Sequence, residues 1–266
     1  MTGFASPPPD LRSRSRRLGL FGALALMAMA ACSPTDSATP APMTVFAAAS
    51  LTDALGEIAS EYERETGQPV RLSFAASGAV ARQVEAGAPA QVVVLADTSW
   101  MDRLQTAGRI QPDSRVDLLG NRLVLITAAE AEIEGEPLAW LARTGGRLVI
   151  GDPESVPAGA YARTWLQTAG LWDGLQPSIV TAADVRAARA FVARGEAQLA
   201  VVYRSDATGF DEVRVVADPP SAEQPSIVYP AAVTVGAAPA SKAFLVYLRS
   251  PAAGAIFNRY GFEPLA

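Results

Sequence analysis

Beyond Met43 short apolar runs alternate with segments whose apolar residues recur every three or four positions, the grammar of an α/β protein with mainly parallel sheets. Thr44 to Ala48 reads as a short strand, and Leu51, Leu55, Ile58 and Tyr62 then recur at helical spacing until Gly67 stops the pattern. Val70 to Phe74 alternates as a strand, Val80 to Ala86 is a short helix, and Val92 to Leu95, Leu123 to Ile126 and Leu148 to Ile150 are buried strands. In the second half Tyr161 to Ala169 and Val185 to Arg194 are helices closed by Gly170 and Gly195, and Leu199 to Tyr203 is a buried strand. Val213 to Val216 and Ile227 to Val233 supply more β structure, and Ser241 to Arg249 makes a helix with Phe244, Leu245 and Leu248 facing a core. No short-period repeat is visible, which argues against solenoids and propellers. At 266 residues the chain is too long for one small core, so a two-lobed globular protein is expected.

Composition removes much chemistry. Half of the residues are apolar and 18% are charged, which excludes a disordered chain. There is no histidine and only one cysteine, Cys32. Zinc sites built on His or Cys, Ser-His-Asp triads, haem ligation and an internal disulfide framework are therefore excluded.

The first 31 residues read as a signal peptide: Arg12, Arg14, Arg16 and Arg17 form a basic start, and Leu18 to Ala31 is an apolar run too short to span a bilayer as a mature helix. The run ends in Met29-Ala30-Ala31-Cys32, which resembles a bacterial lipobox and would make Cys32 the lipidated N-terminus of an anchored lipoprotein. The alternative is an ordinary secretory signal cleaved nearby, with Cys32 idle. Residues 32–42, rich in Ser, Thr, Pro and Ala, read as a flexible tether. Without the leader the chain keeps 18 basic and 26 acidic residues, a net charge of −8. Such a surface argues against nucleic acid as a partner, and any anion bound here must be held by local geometry against the global field.

Four loops feed helices through small or hydroxyl residues. Ala47-Ala48-Ala49-Ser50-Leu51-Thr52-Asp53 puts a strand end before a helix, with Ser50 as its N-cap and Asp53 as the capping-box partner. Ala75-Ala76-Ser77-Gly78, Pro157-Ala158-Gly159 and Ala183-Asp184-Val185 open three more. A helix N-terminus offers unpaired N–H groups at the positive end of its dipole, so converging termini can hold an anion without Lys or Arg. The same residues are equally what any α/β protein uses to cap a helix. Ser50 or Ser77 as a hydrolytic nucleophile would lack a base, because His is absent and the only lysine, Lys242, lies in a helix near the C-terminus.

Several stretches, in order, resemble one family. They are Thr44 to Ala54, Ala81 to Ala90, Leu119-Gly120-Asn121, Gly151 to Ala162, Val202 to Ala207 and Phe257 to Phe262. Together they are similar to the periplasmic molybdate-binding proteins of molybdate ABC transporters, over nearly the whole chain beyond Met43. The resemblance implies a two-lobed, type II periplasmic-binding-protein-like α/β fold with the ligand in the interlobe cleft. Lobe 1 would comprise 43–122 plus 228–266 and lobe 2 123–227, with hinge strands crossing near Leu123 and Ile227. It implies molybdate or tungstate as ligand, no cofactor, no enzymatic activity, a monomer, a membrane permease as partner, and contact with the membrane only through a lipid anchor. Ser50 and Ser77 would donate from hydroxyl and backbone N–H, Ala158 and Val185 from backbone N–H, and Tyr203 from its phenol. Ser50 to Ser77 and Ala158 to Val185 are each 27 positions apart, consistent with one βαβα unit used twice. Ala76 and Gly78 flank Ser77 where relatives often carry hydroxyls. A donor-only site suits a proton-free tetrahedral anion, whereas hydrogen phosphate needs an acceptor, and the donor loops hold no carboxylate apart from Asp184. Another such anion, sulfate, remains the alternative, because cavity size is not written in the sequence.

Overall fold

The computed structural model of the protein describes residues 40–265. The expected leader, the lipidation at Cys32 and most of the tether lie outside the described residues. The first part runs β1 (Met43–Ala48), a 3-10 turn (Ala49–Leu51), α1 (Thr52–Thr66), β2 (Val70–Ala75), α2 (Ser77–Glu85), β3 (Val92–Val94), α3 (Thr98–Thr106) and β4 (Val116–Asn121). It continues with β5 (Leu123–Ala128), α4 (Pro137–Thr144), β6 (Leu148–Gly151), α5 (Pro157–Thr168), α6 (Trp172–Leu175), β7 (Ile179–Ala182), α7 (Val185–Ala193), β8 (Leu199–Tyr203) and β9 (Val213–Ala217). The chain closes with β10 (Ile227–Val233), α8 (Ala240–Leu248), α9 (Pro251–Arg259) and β11 (Glu263–Pro264).

The local causes are ordinary. α1 buries Leu55, Ile58, Ala59 and Tyr62 on one stripe, and Gly67 ends it at φ 71, where its N–H closes on the Glu63 carbonyl. α3, absent from the periodicity reading, buries only Met101 and Leu104; its start is set by Asp97, whose carboxylate accepts from the Ser99 and Trp100 N–H groups. α2 and α5 begin earlier than their apolar spacing predicts, at Ser77 and Pro157 rather than Val80 and Tyr161. Their first turns are built from small residues buried against the strand ends that deliver them, so they carry no amphipathic signal.

Two sheets organise the molecule into a two-lobed α/β fold. One has the order β11-β4-β10-β3-β1-β2 and the other β7-β6-β8-β5-β9. Apart from the edge strand β11 the two orders are the same pattern, with β6, β7, β8, β5 and β9 standing where β1, β2, β3, β10 and β4 stand. β1 pairs in parallel with β2 and β3, as β6 does with β7 and β8. β10 runs against β3 and β4, and β5 against β8 and β9, so a reversed strand sits inside each sheet beside strands of common direction. The chain leaves the first sheet at Asn121 and enters the second at Leu123, and it returns between Ala217 and Ile227. β3 and β6 are buried throughout, as strands covered on both faces must be. Among the described residues no helix is long and apolar enough to cross a membrane.

Candidate functional site

In open α/β sheets ligands sit beyond the carboxyl ends of the parallel strands, where helix starts converge. Here the ends of β1, β2, β6 and β7 lead into the 3-10 turn before α1 and into α2, α5 and α7. The ends of β3 and β8 add Ala96 and Tyr203, which occupy equivalent places in the two sheets. All of these line one cavity. From the first sheet come Ala48, Ala49, Ser50, Ala76, Ser77 and Ala96; from the second, Val156, Pro157, Ala158, Asp184, Val185 and Tyr203. Ser50, Ser77, Ala158, Val185 and Tyr203, the residues singled out in the sequence, are thus brought together. The cavity has a volume of about 10 Å³, about what one water molecule needs and far below the roughly 300 Å³ or more of a pocket for an extended organic ligand.

Each hydroxyl has a defined setting. Ser77 is 1% exposed, and its Oγ accepts the Ala96 N–H at 2.9 Å, which leaves its own proton for another partner. Tyr203 is also 1% exposed, and among the described residues its Oη has no hydrogen-bond partner. A buried phenol without a partner is costly, and one that lines a cavity has an evident place for the missing acceptor. Ser50 departs from the capping expectation. It lies inside the 3-10 turn rather than at the start of α1, whose N-cap, Leu51, makes no side-chain bond. The extra turn swings the Ser50 Oγ toward β10, where it stands 3.0 Å from the Tyr229 Oη. Asp53 is no capping-box partner either, since its carboxylate meets Arg186 of α7 at 2.6 Å.

Among the described residues no Lys or Arg lines the cavity. Asp184, its one carboxylate, is engaged in capping α7 by accepting the Ala187 N–H at 2.8 Å. What faces a guest is hydroxyl groups and the first turns of helices, an arrangement suited to a small anion.

The solute-binding protein model of bacteria, "Bacterial extracellular solute-binding protein", matches residues 43–263. The chain belongs to that family. The molybdate-binding protein ModA of Escherichia coli is 46% identical to this solute-binding protein over 227 residues, covering 83% of this chain and 88% of the relative. ModA of Haemophilus influenzae is 39% identical over 232 residues, covering 85% and 91%. Among solved structures the periplasmic molybdate-binding protein of Azotobacter vinelandii superposes with a TM-score of 0.74 at 27% identity, covering 83% of this chain and 98% of that one. All three relatives are named as molybdate-binding proteins.

Burial pushes the phenols of Tyr203 and Tyr229 well above their ordinary range, so both stay protonated in this solute-binding protein and can donate at any physiological pH. Behind the cavity Asp206 is 1% exposed, and burial lifts its carboxyl to about 7 against the opposing pull of Arg189 and Arg186. Arg189 stacks on Phe210, its guanidinium carbon 3.4 Å from the ring centre, and donates to the Asp206 carbonyl. Sequence reasoning gave no role to Tyr229, Asn121 or Ala96. Asn121 stands in one of the resembling motifs, but Tyr229 reads only as a strand residue and Ala96 acts through its backbone, so neither leaves a signal in the sequence.

Proposed function

We propose that this protein binds molybdate, and tungstate with it, in the cavity between its lobes and delivers the anion to the membrane permease of an ABC transporter. The observation that carries the reading is the partnerless Tyr203 phenol in a compact cavity otherwise framed by helix first turns and two serines. The specificity named for the relatives supports it. In this reading Ser50 and Ser77 donate from hydroxyl and backbone N–H, Ala158 and Val185 from backbone N–H, and Tyr203 from its phenol. The lobes are 43–122 plus 228–266 and 123–227, and they close over the anion as a monomer. A leader over residues 1–31 exports the chain to the periplasm, and lipidation at Cys32 tethers it to the membrane.

Calorimetric titration of the purified protein with molybdate, tungstate, sulfate and phosphate tests the ligand. Tight one-to-one binding of the two metal oxyanions, with sulfate and phosphate silent, is expected. Stronger binding of sulfate would reassign the transported solute, and silence toward all four would reduce the loops to ordinary helix caps. The anchor is tested by the mass of the mature N-terminus, which should carry lipid on Cys32 and lose it in Cys32→Ser.

A further inference from the structure

We infer that Asn121 and Tyr229 are positioning residues that fix the direction of the Ser50 hydroxyl, so that the Ser50 proton is kept free to donate into the cavity. The inference rests on the oxyanion reading above and extends it from which residues bind to what gives one of them its polarity.

The direction of each hydrogen bond follows from the chain of partners. The Arg122 N–H donates to the Asn121 Oδ1 at 2.9 Å, which fixes the side-chain amide with its NH₂ turned the other way. That NH₂ has no lone pair to accept with, so it donates, to the Ser205 Oγ at 2.9 Å and to the Tyr229 Oη at 3.3 Å. Tyr229 is fully buried, and its own proton needs an acceptor. Among the described residues the oxygen within reach that is left to take it is the Ser50 Oγ at 3.0 Å. With one of its two lone pairs taken by Tyr229, Ser50 has its proton free for the cavity. Ser77 reaches the same polarity by another route, with the Ala96 N–H behind it.

The consequence is that the Ser50 proton is reserved for the guest, a contribution separate from selection by size. A fully ionised anion takes the proton that Ser50 offers, and sending that proton to Tyr229 instead would strand the buried Tyr229 proton without a partner. The relay is supplied from the junction of the two sheets, since Asn121 ends β4 and Tyr229 lies in β10. It therefore acts on the site from behind, without touching the guest.

A double-mutant cycle read by molybdate titration tests this. Tyr229→Phe keeps the ring, whose edge-on contacts with Tyr203 and Phe262 need no hydroxyl. It should weaken molybdate binding about tenfold where Ser50 is present, and by no more than about twofold in a Ser50→Ala background, where no hydroxyl remains to be oriented. Asn121→Ala run through the same cycle should show the same background dependence, and it carries the test if Tyr229→Phe does not fold. An equal loss in both backgrounds would mark a merely structural role and overturn the inference, as would an unchanged affinity of both variants with Ser50 in place. If the unaltered protein did not bind molybdate, the oxyanion reading would fail and take the relay with it. Binding by the unaltered protein together with additive losses would overturn the relay alone.

Discussion

The Asp53 carboxylate of α1 meets the Arg186 guanidinium of α7 at 2.6 Å, joining a helix that follows the first sheet's β1 to a helix that follows the second sheet's β7. The pair lies close in sequence to Ser50 and Val185 of the cavity, and both side chains keep part of their surface in water. Such a pair is worth up to about 1 kcal/mol and is screened by salt. Asp53→Asn should therefore speed molybdate release by roughly fivefold at low ionic strength. Stopped-flow dissociation should show the difference shrinking as salt is raised, and a difference that ignored salt would remove the ion pair from the closing contacts.

Tyr203→Phe removes one oxygen and leaves the edge-on packing of the ring against Tyr229 at 5.6 Å between centres. Because the Oη has no partner among the described residues, the ligand-free variant should be at least as stable as the parent. Its molybdate affinity should fall by about 1 to 3 kcal/mol. A drop in thermal stability with unchanged affinity would give the phenol a structural role instead.

Gly78 lies where the two sheets' loops touch, its N–H donating to the Ser155 carbonyl at 3.1 Å. A Cβ there would sit 2.7 Å from that carbonyl oxygen and 2.7 Å from the Trp100 ring. The ring can turn aside, but the carbonyl is backbone on the opposite side of the cleft. Gly78→Ala should hold the lobes apart and weaken molybdate binding at least about tenfold, while the melting temperature without ligand changes little. Calorimetry and a thermal melt of the same sample decide it.

Gly159 is the contrasting case, because its crowding lies inside one lobe. A Cβ would fall 1.9 Å from the Gly151 carbonyl oxygen, where α5 packs on the end of β6. Gly159→Ala should cost at least about 3 kcal/mol of folding stability in chemical denaturation, with or without ligand. A stable variant with impaired binding alone would contradict this.

Asp206 gives the protein a pH dependence of unusual sign. Its folded carboxyl titrates at about 7, above the ordinary 3.8 that it regains on unfolding, so between those values the folded state holds a proton that the unfolded chain releases. Its contribution is therefore fully present below about pH 4 and is lost as pH rises toward 7. Asp206→Asn should flatten that slope in a series of melts, and an unchanged slope would assign the dependence to other groups.

How much was legible in the sequence differs from element to element. Val92–Val94, Leu148–Gly151 and Leu199–Tyr203 announce themselves because a strand covered on both faces is apolar throughout. α1 does so because its stripe repeats over several turns before Gly67. α3, α4 and α9 bury two or three residues each and start on Asp97, Glu136 and Ser250 caps, too little periodicity to stand out from loops. The family resemblance pointed to Ser50, Ser77, Ala158 and Val185, and the two equal spacings of 27 positions agreed with it.

The amino-acid sequence by itself determined the alternation of strand and helix, the exclusion of His and Cys chemistry, the family resemblance and the loops that feed a site. Only the tertiary structure decided the polarity and the partners within it. Whether Ser50 caps a helix or leans on Tyr229, and whether Asp53 serves its own first turn or Arg186 across the cleft, depends on residues 179 and 133 positions away. Local spacing carries the geometry of one strand and one helix, whereas the direction of a buried hydrogen bond is set by every group that must be satisfied around it, and those groups meet only when two sheets with the same pattern pack end to end.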